Sequence, residues 1–258
     1  MKLASCAYSY RDLLTKDKMT LEGFLDEAVS IGLDGVELTA YYFPETTPQY
    51  LHHIKREAFV RGLDISGTAV GGNFSQPDEA GRRQQIEQVK QWLGHSAALG
   101  SSVMRVFAGG QPEGVDRSTA EAWVRDGLAD CAHVAADHGV ILALENHGGL
   151  TGDADGILAL VEPFADDPWI GINLDFGNFT GSIYEQYRRC VPHTVTTHAK
   201  VTVRQVEARQ PVDYRKVVRL LRDAGYDGYL SIEFEEREDP IVGVSRFAAY
   251  LRGCMVDG

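Results

Sequence analysis

Two stretches near opposite ends of the chain repeat one phrase. Residues 21–38 read Leu-Glu-Gly-Phe-Leu-Asp-Glu-Ala-Val-Ser-Ile-Gly-Leu-Asp-Gly-Val-Glu-Leu, and residues 217–233 read Val-Val-Arg-Leu-Leu-Arg-Asp-Ala-Gly-Tyr-Asp-Gly-Tyr-Leu-Ser-Ile-Glu. Each is an amphipathic helix that stops on glycine, passes an apolar residue and Asp-Gly, and enters a short apolar run reaching glutamate. Weaker forms occur at His138-Gly139-Val140 and Arg61-Gly62-Leu63-Asp64. A helix that ends on glycine and feeds straight into a strand is the αβ connection of a parallel sheet. The pattern predicts strands near 2–8, 34–38, 64–70, 102–107, 140–145, 170–175, 194–199 and 229–233. Helices are predicted near 19–32, 47–62, 78–99, 117–138, 151–165, 181–190, 211–224 and 240–253. Eight units in 258 residues give about 32 residues per unit, the size of one βα repeat. No linker or charge block interrupts them. The expectation is a single α/β domain over 1–258 forming a closed (β/α)8 barrel, with a doubly wound open sheet as the alternative. No GxGxxG follows the first strand, so a dinucleotide site there is not supported.

The formal net charge is −12, which argues against nucleic acid as a partner, because phosphate backbones are met by clustered Lys and Arg. Cys6, Cys131, Cys190 and Cys254 are scattered and form no CxxC pair, so free thiols in a reducing, cytoplasmic setting are expected. The N-terminus runs directly into a strand without a signal-peptide pattern. No apolar stretch reaches the length of a membrane span.

Four side chains of metal-binding type each close an apolar run. Glu145 follows Val140–Leu144, Asp175 follows Ile170–Leu174, His198 follows Thr194–Thr197, and Glu233 follows Tyr229–Ile232. Their spacings are 30, 23 and 35 residues, so each lies about one βα unit beyond the last. Parallel strands in such units share one C-terminal face. Two glutamates, an aspartate and one imidazole meeting there make an oxygen-rich site suited to one divalent ion, Mn²⁺ first, with Mg²⁺, Co²⁺ or Zn²⁺ as alternatives. A lone glutamate ending a strand is usually a solvated residue or a cap. Four such groups on successive strands are harder to explain that way.

Leu142-Ala143-Leu144-Glu145-Asn146-His147, Asn173-Leu174-Asp175, His198-Ala199-Lys200 and Ser231-Ile232-Glu233 resemble the motifs of the xylose-isomerase-like TIM barrels. That superfamily includes sugar phosphate isomerases/epimerases, ketose 3-epimerases, inosose isomerases and dehydratases, hydroxypyruvate isomerases and endonuclease IV. The resemblance implies a metal-dependent sugar isomerase or epimerase. Such an enzyme moves a proton next to a carbonyl through a metal-stabilised enediolate. In the ketose 3-epimerases the glutamates of strands 5 and 8 take and return the proton, and these match Glu145 and Glu233. Asp175 and His198 are then ligands alone. A metal-dependent dehydratase or lyase acting on a keto-sugar or inosose is the alternative, and a non-catalytic metal- and sugar-binding barrel is a third. A phosphodiester nuclease is disfavoured by the charge.

Further pocket residues are expected around the four. His147 and Lys200 lie two residues beyond Glu145 and His198, so alternation turns them towards the pocket if the strands run that far. The competing readings are a loop histidine and a surface lysine. Glu37 resembles a pocket carboxylate of the family. Tyr8, Phe107 and Phe176 are candidates for apolar walls, with core packing as the plainer reading of each. Many relatives carry Asp-x-x-His after strand 6. This chain has Asp175-Phe176-Gly177-Asn178, which puts Asn178 where the imidazole would stand and removes a multi-zinc ligand. No glycine-rich phosphate loop follows the seventh strand, and Arg204 reads as a solvated arginine. The expected partner is a small sugar or polyol-derived substrate, with no nucleic acid and no membrane; a homodimer is compatible with the fold.

Overall fold

The computed structural model describes residues 1–205 and 208–257. Ten strands run in chain order: β1 Lys2–Cys6, β2 Gly35–Thr39, β3 Asp64–Ala69, β4 Val103–Val106, β5 Ile141–Glu145, β6 Ile170–Asp175, β7 Thr194–Ala199, β8 Thr202–Arg204, β9 Arg209–Pro211 and β10 Tyr229–Ile232. Between them lie α1 Arg11–Leu14, α2 Leu21–Ile31, α3 Pro48–Val60, α4 Glu79–Leu99, α5 Arg117–His138, α6 Ala154–Val161, α7 Ile183–Cys190, α8 Tyr214–Asp223 and α9 Pro240–Asp257. Eight parallel strands close in the order β1-β10-β7-β6-β5-β4-β3-β2, and β8 and β9 form a separate antiparallel pair. Closure rests on β1 and β10, which pair from Lys2↔Tyr229 to Ser5↔Ile232. That pairing excludes the open doubly wound sheet.

The glycine punctuation acts as the sequence implies. Gly32, Gly100 and Gly139 cap α2, α4 and α5 in the left-handed conformation, where a side chain would be strained. Helix starts are set by short polar side chains: Thr20, Thr47, Asp78 and Asp153 each accept from a backbone N–H in the first turn. Among the boundaries that differ from expectation, two have a local cause. Residues 211–224 do not begin as helix, because the chain after Lys200 first makes the β8–β9 hairpin and α8 starts only at Tyr214. The helix expected over 151–165 starts at Ala154 and tightens into a 3₁₀ turn at Glu162–Phe164, where Pro163 cannot donate to the helix ladder.

Strand alternation divides the barrel wall into two faces. Leu142, Leu144, Ile172 and Leu174 are fully buried and point outward to the helix layer. The opposite parity points into the lumen. Register links Glu145↔Asn173, Asp175↔His198, His198↔Ser231 and Cys6↔Glu37, so these residues form neighbouring rows at the carboxyl ends of the strands. Small residues make room for them. A Cβ at Gly67 would lie 3.4 Å from Cγ of Glu37 and 3.3 Å from Val103. The lumen therefore narrows through small residues and opens at its C-terminal end into charged groups. Among the described residues no helix is long and apolar enough to cross a membrane, and Cys6, Cys131, Cys190 and Cys254 are free and buried.

The outward layer is the stability core. We expect Leu144→Ala to lower unfolding free energy by ~2–5 kcal/mol, read by urea denaturation, while metal stoichiometry is unchanged. A loss of metal with little loss of stability would show that Leu144 faces the lumen.

Candidate metal centre

Glu145, Asp175, His198 and Glu233 each present a donor atom, and the four atoms lie within 4.8 Å of one another. All four residues are at most 5% exposed. Glu145 and Asp175 end β5 and β6, and His198 is the penultimate residue of β7. Glu233 is one residue past β10 and tied to the neighbouring β7 by its N–H, which donates to Ala199 O at 3.0 Å.

His198 is fixed from behind. Its Nε2 lies 2.9 and 3.0 Å from the two carboxylate oxygens of Glu37. A carboxylate accepts, so that nitrogen carries the hydrogen and Nδ1 is left facing the cluster. Nδ1 stands 3.4 Å from Glu145 Oε2, 3.6 Å from Glu233 Oε1 and 3.8 Å from Asp175 Oδ2, yet it has no hydrogen-bond partner. Asp175 Oδ2 is buried with the Lys200 ammonium 3.2 Å away but no hydrogen bond, while Oδ1 accepts from Gly177 N at 2.6 Å. An unpartnered imidazole nitrogen with three carboxylates converging on it fits a cation bound through three carboxylates and one imidazole nitrogen.

The charges support the same reading. Glu37, Glu145, Asp175 and Glu233 are buried acids, and Arg105 and Lys200 are buried bases. With His198 neutral the group carries an excess of two negative charges, which one divalent cation balances. Burial opposes ionisation of Glu145, but Arg105, then His198 and Lys200, outweigh it and hold the carboxyl well below the usual range. Burial pushes Asp175 up to about 7, reinforced by Glu145 and Glu233 and opposed by Lys200. Burial lowers the pKa of His198, but Glu37, Glu233 and Glu145 raise it well above the ordinary value. Without a cation the cluster thus holds protons to relieve its own repulsion.

A second set of groups holds the first. Arg105 Nε lies 3.1 Å from Glu145 Oε2, its Nη1 donates to Val70 O at 3.1 Å, and its guanidinium sits 4.1 Å from the ring centre of Phe107. Asn173 donates to Glu145 Oε2 at 3.0 Å and Asn178 to Oε1 at 3.2 Å. Asn146, beyond β5, accepts from Asp175 N and donates to Asp175 O at 2.7 and 2.9 Å, so a side chain extends the β5–β6 ladder. Lys200 Nζ lies 3.2 Å from Asp175, 3.0 Å from Glu233 and 3.0 Å from Glu235, and donates to Asn178 Oδ1 at 3.2 Å. Its stem crosses Gly177, where a Cβ would come within 2.5 Å of Lys200 Cδ.

The remaining expected residues separate in space. Tyr8 is half-buried near Glu233, Glu235 and Lys200, with the guanidinium of Arg11 4.9 Å from its ring centre. Phe107 and His147 touch at 4.3 Å between ring centres and line a cleft beside Glu145. Glu37 spends both carboxylate oxygens on His198 rather than opening to the pocket. Phe176 is not a pocket wall: its position next to Asp175 turns it outward, where it packs edge-on against Tyr187 and Tyr214. Arg204 is exposed in the β8–β9 hairpin. Arg105, Asn146, Asn173 and Glu235 were not anticipated. A faint signal existed for Arg105 and Asn173, each a polar residue inside an otherwise apolar strand.

A family model described as Xylose isomerase-like TIM barrel matches residues 25–253. The chain belongs to that family. A human protein named "Putative hydroxypyruvate isomerase" is 28% identical over 250 residues, spanning 86% of this chain and 87% of its own. Among solved structures, a D-psicose 3-epimerase from Clostridium cellulolyticum H10, crystallised with D-tagatose, has a TM-score of 0.79 at 18% identity and covers 99% of each chain. The "probable 3-DHS dehydratase AsbF" of Bacillus anthracis has a TM-score of 0.73 at 18% identity, again over 99% of each chain. At such identities the solved structures bear on the fold alone, so the chemistry of this family member has to be argued from its own side chains.

Two outcomes test the centre. A cation must displace the protons held by Asp175 and His198. Mn²⁺ affinity measured by calorimetry should therefore fall as pH drops below about 7, with proton release on binding; affinity flat from pH 5 to 8 would contradict the arrangement. Glu37→Gln removes the charge that orients His198 and should weaken metal binding about 10- to 100-fold, with secondary structure retained.

Proposed function

We propose that the chain is a divalent-metal-dependent isomerase or epimerase that moves a proton at the carbon next to a sugar carbonyl. The observation that carries this reading is the convergence of Glu145, Asp175, His198 Nδ1 and Glu233 within 4.8 Å, with Nδ1 of His198 buried and without a hydrogen-bond partner. When bound there, a divalent cation supplies Lewis-acid polarisation of a carbonyl, which makes the adjacent C–H acidic.

The protein's own groups then divide the work. Glu233 has Lys200 against one oxygen at 3.0 Å, while its other oxygen faces Nδ1 of His198 at 3.6 Å. That second oxygen is the better placed to accept a proton. Glu145 is gripped by Arg105, Asn173 and Asn178, so it is held ionised in one orientation, its donor atom within 4.8 Å of that of Glu233. Proton removal by one carboxylate and return by the other would invert a carbon or shift the carbonyl along the chain. Asp175 and His198 act as ligands, and Glu37 acts by orienting His198. The isomerase and epimerase names of relatives in this family favour the same class. Four free buried thiols fit a reducing compartment such as the cytoplasm.

Elimination is the second reading, and Lys200 is the observation that favours it. Its ammonium lies within 3.2 Å of Asp175 and Glu233, where it could protonate a departing hydroxyl after the same first proton removal. The two readings share a first step and differ in whether water leaves.

Solvent deuterium exchange tests the shared step. Incubated in D₂O with Mn²⁺, the protein should wash deuterium into the carbon next to the carbonyl of its keto-sugar, and EDTA should abolish this. Glu145→Gln and Glu233→Gln should each reduce the exchange rate by at least about 100-fold. Full exchange in metal-free protein, or wild-type rates in either variant, would overturn the assignment. Dehydrated product would favour elimination.

A further inference from the structure

The geometry points to a second cation position in the lumen, exclusive of the first, in which Cys6, His198 and Glu233 bind a thiophilic divalent ion such as Cd²⁺ or Zn²⁺. It shares two residues with the centre above and does not depend on the reaction proposed there.

Cys6 ends β1 and is fully buried. It stands in register with Glu37, whose carboxylate holds His198, so the pleat turns Cys6 towards the lumen as well. Its Sγ, one ring nitrogen of His198 and one carboxylate oxygen of Glu233 lie within 4.8 Å of one another. That is the same closeness that gathers Glu145, Asp175, His198 and Glu233. Cys131, Cys190 and Cys254 lie on α5, α7 and α9, so Cys6 is the one thiol of the barrel wall.

Two further observations point to a ligand on this side. Nδ1 of His198 is buried without a hydrogen-bond partner, and so is Ser231 Oγ. Ser231 pairs in register with His198 and lies two residues deeper along β10 than Glu233, on the same strand face. Cys6 Sγ itself makes a weak contact with Thr39 Oγ1 at 3.5 Å. A sulfur, an imidazole and a carboxylate, with a spare hydroxyl beneath them, form a softer donor set than the three carboxylates and one imidazole of the first position.

His198 and Glu233 therefore stand between two choices. β5 and β6 supply Glu145 and Asp175 on one side, and β1 supplies Cys6 on the other. Both positions draw on the same imidazole and the same glutamate, so one ion excludes the other. Hard ions such as Mn²⁺ and Mg²⁺ prefer the oxygens, whereas a buried thiol gives up its proton only to an ion with strong affinity for sulfur. On binding, the S–H bond breaks, a sulfur–metal bond forms and no oxidation state changes. The proton released is matched by one on Asp175, which is not a ligand in this position. Three carboxylates and one thiolate then balance Arg105, Lys200 and the ion. An ion held at Cys6 leaves Glu145 and Asp175 without a metal, so thiophilic ions silence a centre that hard ions serve.

The test is titration with Cd²⁺, read by the ultraviolet charge-transfer absorption of a cadmium–thiolate bond, with metal content measured alongside. Wild-type protein should develop this absorption up to one Cd²⁺ per chain. Cys6→Ser keeps the shape of the side chain and should lose the absorption. Its Cd²⁺ affinity should fall at least about tenfold, the least that removing even an outer partner of a metal ligand costs, while its Mn²⁺ affinity stays unchanged. Saturating Mn²⁺ should compete with Cd²⁺ in the wild type. X-ray absorption at the cadmium edge of the wild-type protein provides a check that needs no variant: one sulfur neighbour is expected. No sulfur neighbour, absorption that survives Cys6→Ser, or Cd²⁺ binding indifferent to Mn²⁺ would overturn the inference. Mn²⁺ bound at the four ligands without any sulfur-bound Cd²⁺ would refute this position alone. Sulfur-bound Cd²⁺ in a protein that exchanges no deuterium with Mn²⁺ would refute the proposed reaction and leave this position standing.

Discussion

Charge balance inside the barrel is the constraint on which the rest of the structure depends. Four carboxylates, Glu37, Glu145, Asp175 and Glu233, are buried together with only Arg105 and Lys200 as permanent counter-charges. Burying a net charge is among the most expensive things a fold can do. A bound divalent cation would offset the excess and give the unpartnered Nδ1 of His198 a partner. Glu37 at the rear of the imidazole, Asn173 and Asn178 on Glu145, and Asn146 on the backbone of Asp175 all hold these groups at one point. The fold supplies the frame, and these hydrogen bonds fix Glu145, Asp175 and His198 within it.

The same surroundings also shape reactivity. Glu145 and Glu233 are chemically identical side chains in unlike surroundings. Arg105 and two amides hold Glu145, whereas Glu233 shares Lys200 with Asp175 and Glu235. Unequal surroundings are how a pair of carboxylates acquires separate acid and base duties. Asn178 joins the two halves, since its amide donates to Glu145 and accepts from Lys200. The departure from the Asp-x-x-His pattern thus has a structural consequence: it couples Glu145 to the buried lysine.

The legible part of the sequence was whatever local periodicity encodes. Helix, glycine and apolar run repeat visibly, so the strands fell close to their observed bounds and the four strand-end residues could be placed on one face. What the sequence hid depends on contacts across the barrel. Glu37 lies 161 residues from His198, and nothing local marks it as the partner of an imidazole rather than a group that meets substrate. Arg105 looked like an interruption of an apolar strand; its role emerges only when β4 and β5 are paired, Arg105 beside Ala143 and one pleat from Glu145. The β8–β9 hairpin was missed because three-residue strands carry too little pattern to register. Phe176 was a different kind of miss: strand parity after Asp175 already turns it away from the lumen.

The most direct measurement is anomalous diffraction from crystals grown with Mn²⁺ and collected on both sides of the manganese edge. This account requires one strong peak, bonded to Glu145, Asp175, Glu233 and to Nδ1 of His198, with Glu37 still on Nε2. A peak elsewhere, ligation through Nε2, or no ordered ion among the four side chains would contradict it.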